Sequence, residues 1–269
     1  MRSYMGVGVR ASVTPSPFVT LASVTARLVP FSGVLNFRDL GGYETEDGRF
    51  TRWGRLFRSD AMHDLTVEDL EIFRALGIAS VVDLRSSSEV ERTGRGLLAD
   101  EPLHFVNSPV LSNYQTDESR GDIDEGYMSR RYLEYLEVGA PAFVRVIEEM
   151  TNADNFPLVF NCFLGKDRTG VAAALVLSCL GVTRSSIVED YALTAPRVVL
   201  IVEKLLRDPR LRREVAHDNP LLLGAREATM SHFLEEVDER FGGPIAWALS
   251  AGIPGESIDR LRDLLLDEG

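Results

Sequence analysis

Apolar residues recur at helical spacing in several stretches of the chain, and short unbroken apolar runs lie between them. Leu70, Phe73 and Leu76 share one helix face behind Thr66 and Asp69, a pairing that marks a helix start, and Gly77 marks its end. The β-branched run Ile78 to Leu84 follows at once and predicts a buried strand. Tyr127 to Val138 and Pro141 to Thr151 predict two helices, with Pro141 in a first turn, where its missing N–H would be unpaired anyway. Leu158 to Asn161 then predicts a strand, and Thr169 to Leu180 a helix closed by Gly181. Helical patterning continues around 184–194, 196–207, 225–241 and 255–267. Strands and helices alternating in this way predict an α/β fold: a central, mainly parallel sheet flanked by helices, with extra helices toward the C-terminus.

Other stretches carry weaker signals. Residues 1–30 hold β-branched residues without firm periodicity and predict an N-terminal arm with one strand from Phe18 to Leu28. Residues 31–269 are expected to form a single domain. Phe50, Trp53 and Leu56 predict a short hairpin or strand within Gly48 to Ser59, and the polar stretch 112–126 predicts a surface loop.

Composition narrows the functional classes. A net charge of −12 opposes non-specific attraction to nucleic acid and to anionic membrane surfaces, so an anionic ligand must be captured by local positive charge. No apolar stretch approaches the roughly 20 residues of a membrane span, and the first residues lack the continuous apolar region of a cleavable signal. A cytoplasmic location is expected, with secretion by another route left open. Cys162 and Cys179 are too few for a disulfide framework and too far apart on the predicted helix to pair. The four histidines, His63, His104, His217 and His232, show no ligand spacing, so neither a metal site nor a cofactor is expected.

The candidate chemistry lies in NCFLGKDRTG, Asn161 to Gly170, a turn between the predicted strand and helix. If Phe163, Leu164, Gly165, Lys166, Asp167 and Arg168 curl over the helix start, their amides and the helix dipole form a cradle for phosphate. Gly165 permits the tight path, and Arg168 offers a planar fork matched to two phosphate oxygens. A Cys162 thiol in that field is expected to ionise more readily and to act as a nucleophile. In-line attack on a phosphoester would give a cysteinyl-phosphate that water then hydrolyses. Thr169 is placed to donate its hydroxyl to the sulfur in that second step. The Gly-Lys pair does not make a nucleotide-binding loop, because the glycine required five positions before it is replaced by Phe160.

Four blocks in one order, NFRDLGGY (36–43), GRLFRSDAMHDLT (54–66), LGIASVVDLRSSSEV (76–90) and CFLGKDRTG (162–170), resemble the bacterial protein-tyrosine/lipid phosphatases of the C-x5-R cysteine type. The resemblance implies the cysteine-phosphatase fold. It also implies metal-independent hydrolysis of phosphotyrosine, with phosphoserine, phosphothreonine and phosphoinositides as further substrates, so the partners expected are phosphorylated proteins or phosphoinositides. It places Asp167 as general acid, otherwise a structural carboxylate paired with a neighbouring base; Asp83, at the carboxyl end of a predicted strand, is the second candidate or, paired with Arg85, a loop buttress. Lys166 in C-x3-K-x-R resembles phosphoinositide phosphatases and would meet a second anionic group; otherwise it would pair with Asp39, Asp60 or Asp83. Arg38, Asp39 and Arg58 are expected to support the site through salt bridges. Asn161 stands where the family usually has histidine; it can bond loop carbonyls but cannot carry positive charge. That departure keeps a weak or inactive phospho-ligand-binding protein as the alternative. A rhodanese-like sulfur transferase is disfavoured by Arg168, Thr169 and the other three blocks. Residues 196–216 join an apolar helix face to Arg207, Arg210, Arg212 and Arg213, and form either a lid like that of a relative in this family or an ordinary packing helix.

Overall fold

The structure, a computed structural model, describes residues 27–110, 124, 126–207 and 220–268. A five-stranded sheet runs through it: β1 (Arg38–Asp39), β2 (Leu56–Ser59), β3 (Ser80–Asp83), β4 (His104–Asn107) and β5 (Leu158–Asn161), in spatial order β1-β2-β5-β3-β4. All pairs are parallel except β1 with β2, so the mainly parallel expectation holds with one antiparallel edge. Strand β5 is central, and its Leu158, Val159 and Phe160 are completely buried.

Period-two alternation distributes the strand side chains between two cores. Leu56, Val82, Leu158 and Phe160 face one core, while Phe57, Val81 and Val159 face the other, with Phe31, Phe37 and Phe73. In chain order the helices are α1 (Val67–Ala75), α2 (Ser87–Thr93), α3 (Tyr127–Val138), α4 (Ala140–Glu149), α5 (Asp167–Cys179), α6 (Arg184–Ala192), α7 (Ala195–Arg207), a single turn at Pro220–Leu223, α8 (Glu227–Phe241), α9 (Pro244–Ser250) and α10 (Gly255–Leu265). Helix α1 starts on a capping box in which the Thr66 hydroxyl accepts from the Asp69 amide and the Asp69 carboxylate accepts from the Thr66 amide. Helix α5 is buried on all sides from Val171 to Leu177, the mark of a helix inside the core and not on its surface.

Several expectations change. The Gly48 to Ser59 strand contracts to β2, because Phe50 and Trp53 lie in an exposed loop outside the sheet. Strand β4 and helices α2 and α9 were not foreseen. β4 is a half-exposed edge strand with only two apolar residues, and the two helices have seven residues each, too few to show a period. Of the predicted strand Phe18 to Leu28, only Arg27 and Leu28 fall within the described residues, and Leu28 bridges to Arg38. The predicted loop 112–126 lies outside the described residues apart from Asp124 and Gly126. Both cysteines are free and buried.

Register positions the site. Ser59, Asn161, Asp83 and Asn107 are paired across the sheet at its carboxyl end. The chain leaving β5 there enters the loop Cys162 to Lys166 and at once begins α5.

Candidate active site

The loop conformation is set by what holds its carbonyls. The Phe163 carbonyl accepts from the Ala61 amide at 3.1 Å, and the Leu164 and Gly165 carbonyls accept from Asn36 Nδ2 at 3.3 and 3.1 Å. Gly165 also accepts from Arg58 at 2.8 Å. Three successive carbonyls are thus turned outward, and in a planar trans peptide the N–H points the opposite way. The amides of Leu164, Gly165 and Lys166 therefore face the inside of the loop. Among the described residues no acceptor bonds the amides of Phe163 to Asp167, which leaves a concave group of donors beside the start of α5. Gly165 is required twice over: its φ is +65°, and a Cβ there would stand 2.6 Å from the Asp60 nitrogen and the Ser59 oxygen.

Behind the loop lies a charged layer excluded from solvent. Asp190 on α6 accepts from Arg38 Nε at 2.8 Å, Arg58 at 2.5 Å and the Tyr43 hydroxyl at 2.9 Å. Burial alone would raise the Asp190 carboxyl, but the two guanidinium groups outweigh it and hold it well below the usual range. Arg38 also donates to Asn36 Oδ1 at 2.6 Å, so one carboxylate on α6 orients both residues that grip the loop carbonyls. Arg38 and Arg58 are thus both held by buried salt bridges to Asp190. Asp39 supports a different place: it accepts from the amides of Gly41 and Gly54, both at 2.7 Å.

Arg168 lies in the first turn of α5 with its guanidinium against Glu89, bonded at 2.6 and 2.8 Å, and donates to the Leu84 carbonyl at 3.3 Å. Burial would raise Glu89, but the Arg168 bonds and charge, with the Ser86 amide, bring it to about 2. Arg168 itself is held well above its usual value; burial opposes this, while Glu89 and the Cys162 sulfur favour its charge. Cys162 is 2% exposed. Asp167 Oδ1 accepts from the Tyr132 hydroxyl at 2.6 Å, and that hydroxyl lies 2.7 Å from the Tyr191 hydroxyl.

Three expectations need correction. Lys166 pairs with none of Asp39, Asp60 or Asp83; its ammonium donates to the carbonyls of Leu222 and Gly224 and lies 3.3 Å from Asp167 Oδ1. The α5 start aims its side chain at the 222–224 segment, away from the strand ends. Asn161 does not bond loop carbonyls; its Nδ2 donates to Asp83 Oδ1 at 3.2 Å, because both residues end paired strands. The Thr169 hydroxyl is buried without a partner among the described residues, so it makes no bond to the Cys162 sulfur. Asp83, by contrast, is where the buttress reading put it: Arg85 donates to it from its side chain and amide at 2.7 to 3.1 Å.

Helix α7 covers the loop. Its Ile201 and Leu205 pack on Leu35, Phe163 and Leu164, while Lys204 bonds the Gly33 carbonyl and Asp64, both at 2.6 Å. Arg207 is exposed, and Arg210, Arg212 and Arg213 lie outside the described residues. Sequence reasoning missed Glu89, Asp190, Tyr132 and Tyr191. Only Glu89 left a trace, as the third residue after Ser86 in a capping box.

Comparisons with known proteins identify the family. A family model described as the tyrosine phosphatase family matches residues 29–267. The triple specificity protein phosphatase PtpB of Mycobacterium tuberculosis is 30% identical, over 87% of this chain and 97% of its own length. A putative tyrosine-protein phosphatase of Cupriavidus necator is 34% identical over 63% of this chain and 64% of its own. Among solved structures, the core catalytic domain of the PP-IP phosphatase SIW14 from S. cerevisiae aligns with a TM-score of 0.38 at 13% identity, over 82% of this chain and 96% of that one. With its family model spanning nearly the whole described chain, this protein belongs to the tyrosine phosphatase family and is a phosphoric monoester hydrolase.

Proposed function

We propose that the protein hydrolyses phosphotyrosine, and related phosphate monoesters including phosphoserine, phosphothreonine and phosphoinositides, through a cysteinyl-phosphate on Cys162. The observation that carries this reading is the loop itself: three carbonyls drawn outward, the amides of Leu164, Gly165 and Lys166 turned inward, and Arg168 fixed in plane by Glu89. Non-bridging phosphate oxygens fill that cradle, where donors are already oriented and need no rearrangement as charge develops. The Cys162 sulfur attacks phosphorus as the bond to the leaving oxygen breaks. Water then attacks the phospho-cysteine, releasing inorganic phosphate and restoring the thiolate.

Asp167 protonates the leaving oxygen in the first step and takes a proton from water in the second. Among the described residues both of its contacts, Tyr132 and Lys166, fall on Oδ1, which leaves Oδ2 to carry that proton. Lys166 is held by carbonyls of the 222–224 segment in this structure, and reaching a second phosphate of an inositol headgroup requires it to exchange those bonds for substrate.

Turnover of p-nitrophenyl phosphate tests the nucleophile: wild type releases phosphate and Cys162→Ser does not. Asp167→Ala is expected to slow esters with basic leaving groups far more than p-nitrophenyl phosphate. Equal slowing of both would remove Asp167 from the acid role. Lys166→Ala should weaken turnover of phosphatidylinositol phosphates more than that of a phosphotyrosine peptide; equal loss would remove the lipid reading.

A further inference from the structure

The opposite end of the sheet carries a second cationic site that the cysteine loop does not use. Arg55 directly precedes β2, and its carbonyl accepts from the Leu158 amide at the start of β5. It therefore lies at the amino ends of the strands whose carboxyl ends lead to the loop. A cavity of about 590 Å³ opens there, lined by Phe50, Arg52, Trp53, Arg55 and Asp267 among others.

The charges there are left without the carboxylate partners that Arg38, Arg58 and Arg168 have. Among the described residues no acceptor bonds the guanidinium of Arg52 or of Arg55, and Arg55 Nε is buried without a partner. Arg55 rests on the Phe156 ring, 4.8 Å from its centroid. The one carboxylate in the lining, Asp267, accepts from the Phe50 amide at 2.7 Å and lends its field to Arg49. Burial, then the like charge of Arg52, lowers the pKa of Arg55, so the two cations that line the cavity repel each other, and among the described residues neither forms an ion pair with Asp267. In a chain of net charge −12 such a pair is a local reversal of the field.

Aromatic surface completes the cavity. Phe50 and Trp53 are 42% and 48% exposed, unusually open for large rings. Trp53 is not loose: Arg27 lies 4.9 Å from its ring centroid and donates to the Gly41 carbonyl. A rigid indole beside two unpaired guanidinium groups matches a ligand that is flat at one end and dianionic at the other.

We infer that this cavity is a second, non-catalytic binding site for an aryl phosphate, such as a phosphotyrosyl side chain of a substrate, held by Arg52 and Arg55 and stacked on Trp53. The phosphate takes the place of the missing counter-ion, and the ring covers the exposed indole.

Phenylphosphonate, which is not hydrolysed, is the probe. Of the two tryptophans, Trp247 is 3% exposed and Trp53 is 48% exposed, so quenching of the intrinsic fluorescence reports on this cavity. Saturable quenching by phenylphosphonate is expected, absent in Trp53→Phe and weakened at least tenfold in the Arg52→Gln/Arg55→Gln double variant. Hydrolysis of p-nitrophenyl phosphate, and its inhibition by phenylphosphonate, should be unchanged in that variant. Quenching that persists in either variant, or none up to millimolar probe, overturns the site. Equal affinity for inorganic phosphate and phenylphosphonate also overturns it, because the ring would then contribute nothing. These outcomes are independent of whether Cys162 is the nucleophile, which turnover by Cys162→Ser decides separately.

Discussion

The two ends of the sheet handle arginine in opposite ways. At the carboxyl end, Arg38, Arg58 and Arg168 are buried, and each meets a carboxylate: Asp190 for the first two, Glu89 for the third. At the amino end, Arg52 and Arg55 remain partly exposed and meet none among the described residues. The difference is one of solvation. A buried guanidinium without a partner costs several kcal/mol, whereas one touching water can wait for its anion. The first arrangement makes a rigid cradle, and the second leaves charge available for a ligand that comes and goes.

The largest contrast is in turnover. Cys162→Ser should lower p-nitrophenyl phosphate hydrolysis by more than about a thousandfold, while Arg52→Gln/Arg55→Gln leaves it at the wild-type rate. A matching loss in the double variant would erase the distinction between the two ends. Next comes Asp190→Ala, which strands Arg38 and Arg58 in the interior and should destabilise the fold by about 3–5 kcal/mol in urea unfolding. A loss below about 1 kcal/mol would mean that water reaches the pair and that the buried layer behaves as surface.

Glu89 sharpens the comparison through pH. Its folded-state value of about 2 lies below the ordinary 4.5, so the stability it contributes is complete above pH 4.5 and is lost as pH falls toward 2. That difference corresponds to about 3 kcal/mol at neutral pH. Glu89→Gln should therefore lower stability at pH 7 and flatten its decline between pH 4.5 and 2; an unchanged acid slope would refute the Arg168 clamp. Asp60 behaves in the opposite sense: burial raises it to about 6, so it favours the folded state most below the ordinary 3.8 and loses that contribution as pH rises through 6. The smallest effect is expected at the amino end, where Arg52→Gln/Arg55→Gln should change stability by no more than about 0.5 kcal/mol.

Much of the fold was legible because it is written in local periods. The strand Leu158–Asn161, the helix from Tyr127 to Val138 and the capping box at Thr66 are each set by neighbours within a few residues. Strand β4 escaped because a half-exposed edge needs no strong apolar pattern, and α9 because seven residues between two turns show too little of a period. The loop Cys162 to Arg168 was likewise readable, since glycine, arginine and cysteine each have a local task there. What grips it was not. Asn36 and Asp190 lie 129 and 25 residues from Gly165, and no spacing along the chain ties them to it.

The sequence by itself determined the alternating strands and helices and the position of the cysteine loop between β5 and α5, because each follows from short-range sterics and hydrogen bonding. Only the tertiary structure decided which way the charged side chains turned: Lys166 to the 222–224 carbonyls, Arg168 to Glu89, Asn161 to Asp83. Those choices depend on which partners the packed sheet brings within about 3 Å, and a hydrogen bond acts only over that distance, however far apart its ends stand in the chain.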